Sequence, residues 1–380
     1  MKREVGHYYV LGDNNSESGM NLTLSHGWDI NYGVTDVDAI SSTSAALAGD
    51  AWSGYYAASD RLYKYVSPFI IVIGCVGNIL AFIVLQKNGV KGSTATLYLQ
   101  MIAVADNACL VFGLLHTWLA HVWLDISNLH EAACRAQRFL FYTATDVAVW
   151  LLVAFSLDRY IAVCHPLKKN VICSRRRTCI IAVVLLALGV ALNGHIFWTR
   201  TVLLERGRLD CTNFPQYRYF FDYIRPWLVF VFYMLIPFIS VTLLNTGIIR
   251  AVWKTSKHHA TIAAYSKQKD TFRKSTQHMT LVCICISISF LLLMFPNMVL
   301  LVGEPYWQAT PGQKALYRLV TSVARLLVFV HHSCNFFFYC LTRVNFRKRL
   351  KRMSKPKKKT ESYDISVIMT ETQQEPVSFL

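Results

Sequence analysis

Residues 279–302 read MTLVCICISISFLLLMFPNMVLLV, with no Asp, Glu, Lys, Arg or His among them. A helix rises about 1.5 Å per residue, so this stretch reaches roughly 36 Å, longer than the ~30 Å hydrocarbon core of a bilayer. Six further stretches of the same kind lie near Val66–Leu85, Thr96–Leu119, Phe139–Val163, Cys179–Phe197, Trp227–Ile249 and Leu316–Leu341. The second and third crossings are weaker, because each carries an internal Asp. Composition agrees with the reading. Of 380 residues 54% are hydrophobic and 16% charged, where a soluble domain carries about a quarter charged. That excludes a water-soluble enzyme of two or three domains, and 13% aromatic residues exclude a disordered chain. Strand-type alternation is absent, which excludes a β-barrel. The expected fold is an all-α membrane protein, a seven-transmembrane helix bundle.

Basic residues orient the bundle. The segments after the first, third and fifth crossings and the tail after the seventh hold 2, 5, 7 and 10 Lys or Arg. The opposite side carries about half that total. Positive charge marks the cytoplasmic side, so the N-terminus is expected outside and the C-terminus inside, at the plasma membrane. The formal charge of +17 is then mostly topology, and no nucleic-acid partner is called for. Residues 1–62 are expected to form a disordered extracellular segment, 63–342 the seven-helix domain, 343–353 an amphipathic interfacial helix and 354–380 a cytoplasmic tail. No apolar signal core follows Met1, so the first crossing is expected to direct insertion. Asn14 and Asn21 stand in glycosylation sequons on the outer side. Most of the 11 cysteines lie in crossings and read as small hydrophobes. Cys134 and Cys211 differ. Both sit on the oxidising face, where a disulfide would pin the loop before the fifth crossing over the bundle.

Ionisable groups inside a membrane are costly, and each is a candidate for function or for a helix-gluing hydrogen-bond network. Asn78, Asp106, Asp146, Arg325, His331, His332 and Asn335 are the set here. At the inner end of the third crossing, Asp158, Arg159 and Tyr160 follow Cys134 by about 37 Å of helix. An Asp-Arg pair there reads either as a self-satisfied lock or as a snorkelling interfacial Arg. Pro237 and Pro296 break helical hydrogen bonds and are expected to kink the fifth and sixth crossings. Phe290 precedes Pro296 by about one and a half turns, so that kink carries an aromatic wedge.

Together these residues resemble the rhodopsin-like (class A) G-protein-coupled receptors over about residues 63–353. The resemblance rests on Gly77-Asn78, on Ala103 through Asp106 and on Cys134. It continues through Asp158-Arg159-Tyr160, Cys211, Pro237, Phe290 with Pro296, and Asn335 through Tyr339. It implies an extracellular ligand bound between the outer helix halves and an outward swing of the inner sixth helix. Arg159 and Tyr339 would then engage a heterotrimeric G protein. Asn335-Phe336-Phe337-Phe338-Tyr339 has Phe in place of the usual Pro, which is similar to invertebrate neuropeptide receptors of the FMRFamide type. Phe141 stands where amine receptors place an Asp, arguing against a biogenic amine. No Lys lies in the inner half of the seventh crossing, arguing against an opsin. The charged, aromatic outer loop around Arg206–Arg225 suits a peptide ligand, with Phe141, Asp146 and Arg325 as candidate pocket residues. Arg325 is read either as a contact for an acidic or amide group or as an internal partner of Asp146. The family's sodium pocket around Asp106 is altered: Ala148 replaces a Ser and His331-His332 replace Asn-Ser, so a His would supply the positive charge.

In the tail, Lys and Arg between 351 and 359 read as a stop-transfer run or as contacts to anionic lipid. Thr360, Ser362, Thr370 and Thr372 are expected arrestin-recruiting phosphorylation sites. Ser378-Phe379-Leu380 matches a ligand for a PDZ protein. No cofactor, metal set or catalytic residue is called for: His130-Glu131-Ala132-Ala133-Cys134 lacks the second His of a zinc-protease helix. Two alternatives are carried: a chemosensory receptor for a small molecule on the same fold, and a transporter. The transporter would need internal repeats and broken helices that the sequence does not display.

Overall fold

The computed structural model describes residues 52–86, 93–205, 208–259, 267–306 and 310–342. The sequons at Asn14 and Asn21, the amphipathic helix at 343–353 and the tail lie outside those residues.

Seven helices are long and apolar enough to cross a membrane. They are α1 (Trp52–Gln86), α2 (Thr94–Val122), α3 (Glu131–Cys164), α4 (Arg175–Thr199), α5 (Pro215–Lys254), α6 (Lys267–Gly303) and α7 (Pro311–Thr342). Each contains its expected crossing and nearly all run further at both ends. A short helix, Pro166–Ile172, follows α3, its proline at the first position where the missing N–H costs nothing. Ser174 caps α4 by accepting from the Arg177 N–H, and His130 caps α3 through the Ala132 N–H.

The helix ends show why sequence understated their length. The seven-helix domain, expected from residue 63, starts earlier, because α1 begins at Trp52. Residues 52–61, WSGYYAASDR, are too polar to read as a crossing. They are held by contacts with α7 instead. Ser59 Oγ meets Ser322 Oγ at 2.7 Å, Asp60 pairs with Arg318 at 3.0 Å, and the Arg318 guanidinium lies 5.1 Å from the Tyr56 ring.

Among the described residues one short hairpin accompanies the helices. Arg200–Glu205 (β1) and Arg208–Asn213 (β2) form an antiparallel hairpin, with Val202 opposite Cys211. The hairpin is tied to the α3 end of the bundle, where alternation of only a few residues carries too little signal to be seen in sequence.

The core runs down the middle of the bundle. Leu99, Phe155, Phe290, Met294 and Tyr339 are among its fully buried side chains, and α3 touches α2, α4, α5 and α6. Gly77 allows a close crossing: a Cβ there would meet Phe336 of α7 at 3.0 Å. The outward faces of α1, α4 and α5 remain apolar and exposed, as a lipid-facing surface requires.

Candidate functional site

Three groups of residues sit along the bundle axis, and the hairpin marks one end. Cys134 of α3 and Cys211 of β2 form the expected disulfide, with a Cα–Cα distance of 5.6 Å. Polar contacts reinforce it. Thr201 donates to Glu131 at 2.7 Å, Arg135 donates to the Arg200 carbonyl at 2.9 Å, and the Cys211 N–H donates to Asn128 Oδ1 at 2.9 Å. The adjoining turn is anchored at Asp125, which meets His116 at 3.1 Å and accepts from the Ser127 N–H at 3.0 Å. Burial would raise the Asp125 carboxyl. The hydrogen bonds from His116 and Ser127 outweigh it and hold the group down to about 2.

Between the hairpin and mid-bundle lies a cavity of about 280 Å³. Its lining includes Phe141, Asp146 and Arg325, the three residues expected from sequence, together with Arg138, Arg225 and Glu304. Gly113 makes room for it, since a Cβ there would strike the Phe141 ring. A wider vestibule of about 630 Å³ is lined by Lys314 and Arg318. The two share Tyr63, Thr117, Glu304, Tyr317, Thr321 and Arg325, and so form one funnel. The helices around it carry π-helical turns, at Leu110–Leu115 in α2 and Phe230–Leu235 in α5. Such turns commonly mark functional segments, and those two carry the lining residues Gly113 and Tyr233.

The internal Arg325–Asp146 partnership is absent among the described residues. Asp146 accepts from the Asn193 amide of α4 at 2.6 Å instead, and Arg325 makes no ion pair there. Asn193 was missed because a lone Asn near a helix end has no pattern of its own. Arg138 and Arg225 were missed because cations at helix ends ordinarily snorkel. The available signal was spacing: Arg138 lies one turn beyond Cys134, on the end of α3 that the hairpin covers.

At mid-bundle the polar residues do come together. His332 Nδ1 lies 2.8 Å from one Asp106 oxygen, and Asn335 donates to the other. Asn78 donates to the His332 carbonyl at 3.0 Å. The adjacent His331 points elsewhere, its Nδ1 3.1 Å from Ser289 Oγ and its ring 5.8 Å from Phe290. Asn78, Asp106, His332 and Asn335 are all essentially inaccessible. Both carboxylate oxygens are therefore occupied by side chains of α7. Among the described residues no cluster of three or more His, Cys, Asp or Glu is arranged to hold a metal.

At the far end, Asp158 and Arg159 form a buried ion pair within α3. This matches the self-satisfied lock rather than the snorkelling reading. Tyr160 packs against Gly247 of α5, and Ser156 lies 3.5 Å from Cys283 of α6, which in turn meets Asn245 of α5 at 3.7 Å. Pro296 lies within α6, and about one and a half turns below it Phe290 is fully buried. Tyr339 of α7 is buried in the same core.

A seven-helix bundle with a disulfide-tied hairpin over a polar funnel, and an Asp-Arg pair at the opposite end, is the arrangement of a transmembrane receptor. The chain belongs to that class by sequence as well: residues 77–339 match the 7 transmembrane receptor (rhodopsin family) profile. The chain is 23% identical over 309 residues to an FMRFamide receptor of Drosophila melanogaster, covering 76% of this chain and 54% of that receptor. It thus spans about half the length of that relative. It is 26% identical over 280 residues to growth hormone secretagogue receptor type 1 of Mustela putorius furo, covering 70% and 71% of the two. A probable G-protein coupled receptor of Caenorhabditis elegans is 25% identical over 334 residues, covering 80% and 73%.

Proposed function

We propose that the chain is a plasma-membrane receptor with an extracellular N-terminus. On this reading an extracellular peptide binds in the funnel and activates a heterotrimeric G protein at the Arg159 end. The observation that carries the reading is the arrangement of α6. Asn297 and Met298 line the cavity directly beside Pro296, and Phe290 below packs on α7. Proline removes one helical hydrogen bond at that level, so α6 bends there at low cost. A ligand pressing on Asn297 and Met298 then shifts the segment carrying Phe290. That movement reaches Cys283 and Ser156, next to the Asp158–Arg159 pair. Freed from Asp158, Arg159 presents a planar donor fork to the partner. Ligand and G protein both favour the opened state, so each raises the affinity of the other.

The relatives named above include an FMRFamide receptor and a growth hormone secretagogue receptor, and the former's namesake is a peptide, which supports a peptide ligand. The inner chamber alone would suit a small molecule, and the vestibule beyond it favours a longer one. In the tail we assign arrestin recruitment to phosphorylated Thr360, Ser362, Thr370 and Thr372. Capture by a PDZ protein falls to Ser378–Leu380, and membrane-lipid contact to 343–353 and the basic run after it.

The test is expression of the full chain with a promiscuous G protein, a library of neuropeptides in both free-acid and amidated forms, and a calcium readout. A saturable response that Arg159→Gln abolishes without loss of surface display is expected. Silence from a surface-displayed chain across the library contradicts the peptide reading.

A further inference from the structure

The charges lining the funnel do not balance. Arg138, Arg225 and Arg325 face Asp146 and Glu304 in the inner chamber, and the vestibule adds Lys314 and Arg318. Arg318 is matched by Asp60 at 3.0 Å. Asp146 is engaged by the Asn193 amide at 2.6 Å. Glu304 stands exposed at the rim. Among the described residues Arg138, Arg225 and Arg325 are in no ion pair, although other Arg side chains of the bundle are.

Their placement is also specific. All three line the same inner chamber as Tyr142. The Arg225 guanidinium lies over the Tyr142 ring at 4.4 Å and over the Phe221 ring at 5.7 Å. Two such cation–π contacts hold its charge at the cavity wall. The Nε atoms of Arg138 and Arg200 are buried with no hydrogen-bond partner among the described residues. Buried donors are almost always satisfied, and charge-assisted bonds from a guanidinium fork fit a planar carboxylate best.

We propose that the ligand carries a carboxylate that seats among Arg138, Arg225 and Arg325. This deepens the receptor reading and rests on it. The carboxylate belongs either to a free C-terminus or to an Asp or Glu side chain. A cationic, amidated peptide would meet a wall of its own sign.

The experiment uses the full chain in cells, the calcium readout, and peptides in matched pairs: free acid against amide at the C-terminus, and Glu against Gln within the sequence. A set of small mono- and dicarboxylic acids is run beside them. The carboxylate member of an active pair should be more potent by about ten- to hundredfold, the range of a charged hydrogen-bond pair. Arg225→Gln and Arg325→Gln should each cut the potency of that member and barely move its neutral partner. Arg325→Lys should keep part of the response, and surface staining controls for folding. Which pair responds separates a C-terminal from a side-chain source. Equal potency of neutral and acidic members, with the Arg variants affecting both alike, overturns the carboxylate while leaving the peptide reading intact. Activation by small carboxylic acids alone upholds the carboxylate and removes the peptide. Silence in every arm overturns both.

Discussion

The funnel and the mid-bundle network are built from the same residue types and solve opposite problems. Around Asp106 every carboxylate oxygen has a partner from α7, and the set is closed to solvent. In the funnel, three arginines line the inner chamber in no ion pair among the described residues, and one of them, Arg325, also lines the vestibule. A buried charge must be neutralised from within, because water cannot reach it. A charge in an open cavity can await a partner from outside. On the function proposed above, the difference separates groups that hold the bundle together from groups that read a ligand. Variants in the two regions should therefore fail in different ways.

The largest effect is expected from the tie between the regions' common frame and the hairpin. Cys134→Ser or Cys211→Ser opens a crosslink between residues 77 apart in sequence, which is worth about 4 kcal/mol by chain entropy. Surface staining and the ligand response should both collapse. A normal response in either variant would show that the hairpin does not shape the funnel.

Next comes Asp106→Ala, which strands His332 and Asn335 in the core. Leaving a buried polar group without its partner costs about 1–3 kcal/mol. Thermal unfolding of the detergent-solubilised receptor should fall by several degrees, with Asp106→Asn milder because an amide still bonds. Arg325→Gln should leave that transition unmoved and reduce potency alone. If Arg325→Gln destabilised the receptor as much as Asp106→Ala, the contrast between the regions would be lost.

A third outcome sharpens the network itself. His332 occupies Asp106 directly, so replacing sodium with a bulky organic cation should leave agonist affinity unchanged. A steep sodium dependence that Asp106→Asn abolishes would contradict this.

The smallest effects belong to the surface. Asp60 and Arg318 are about half exposed, and their pair should contribute no more than about 1 kcal/mol. Asp60→Asn should therefore scarcely alter the unfolding temperature. The depressed carboxyl of Asp125 adds stability that is complete above about pH 4 and is lost only as pH falls toward about 2. Titration from pH 8 to pH 6 should leave this anchor intact, as an unchanged unfolding temperature over that range would verify.

The bundle and its two ends were legible in the chain, because membrane thickness imposes a length that composition reveals. Asp158-Arg159-Tyr160, Cys134 with Cys211, and Pro296 were legible for a related reason, as each has a chemistry tied to one level of the bundle. What escaped was convergence. Arg138, Arg225 and Asn193 lie on three different helices, and only packing brings them to one cavity with Arg325. Trp52–Arg61 escaped because its helix is fixed by partners on α7, more than 250 residues away, rather than by its own apolar pattern.

Every step above needs the hairpin end of the bundle to face the outside of the cell. The direct test is an epitope tag at the N-terminus of the full chain, stained on intact and on permeabilised cells. The account predicts full staining without permeabilisation. A tag seen only after permeabilisation would put the funnel on the cytoplasmic side and contradict it.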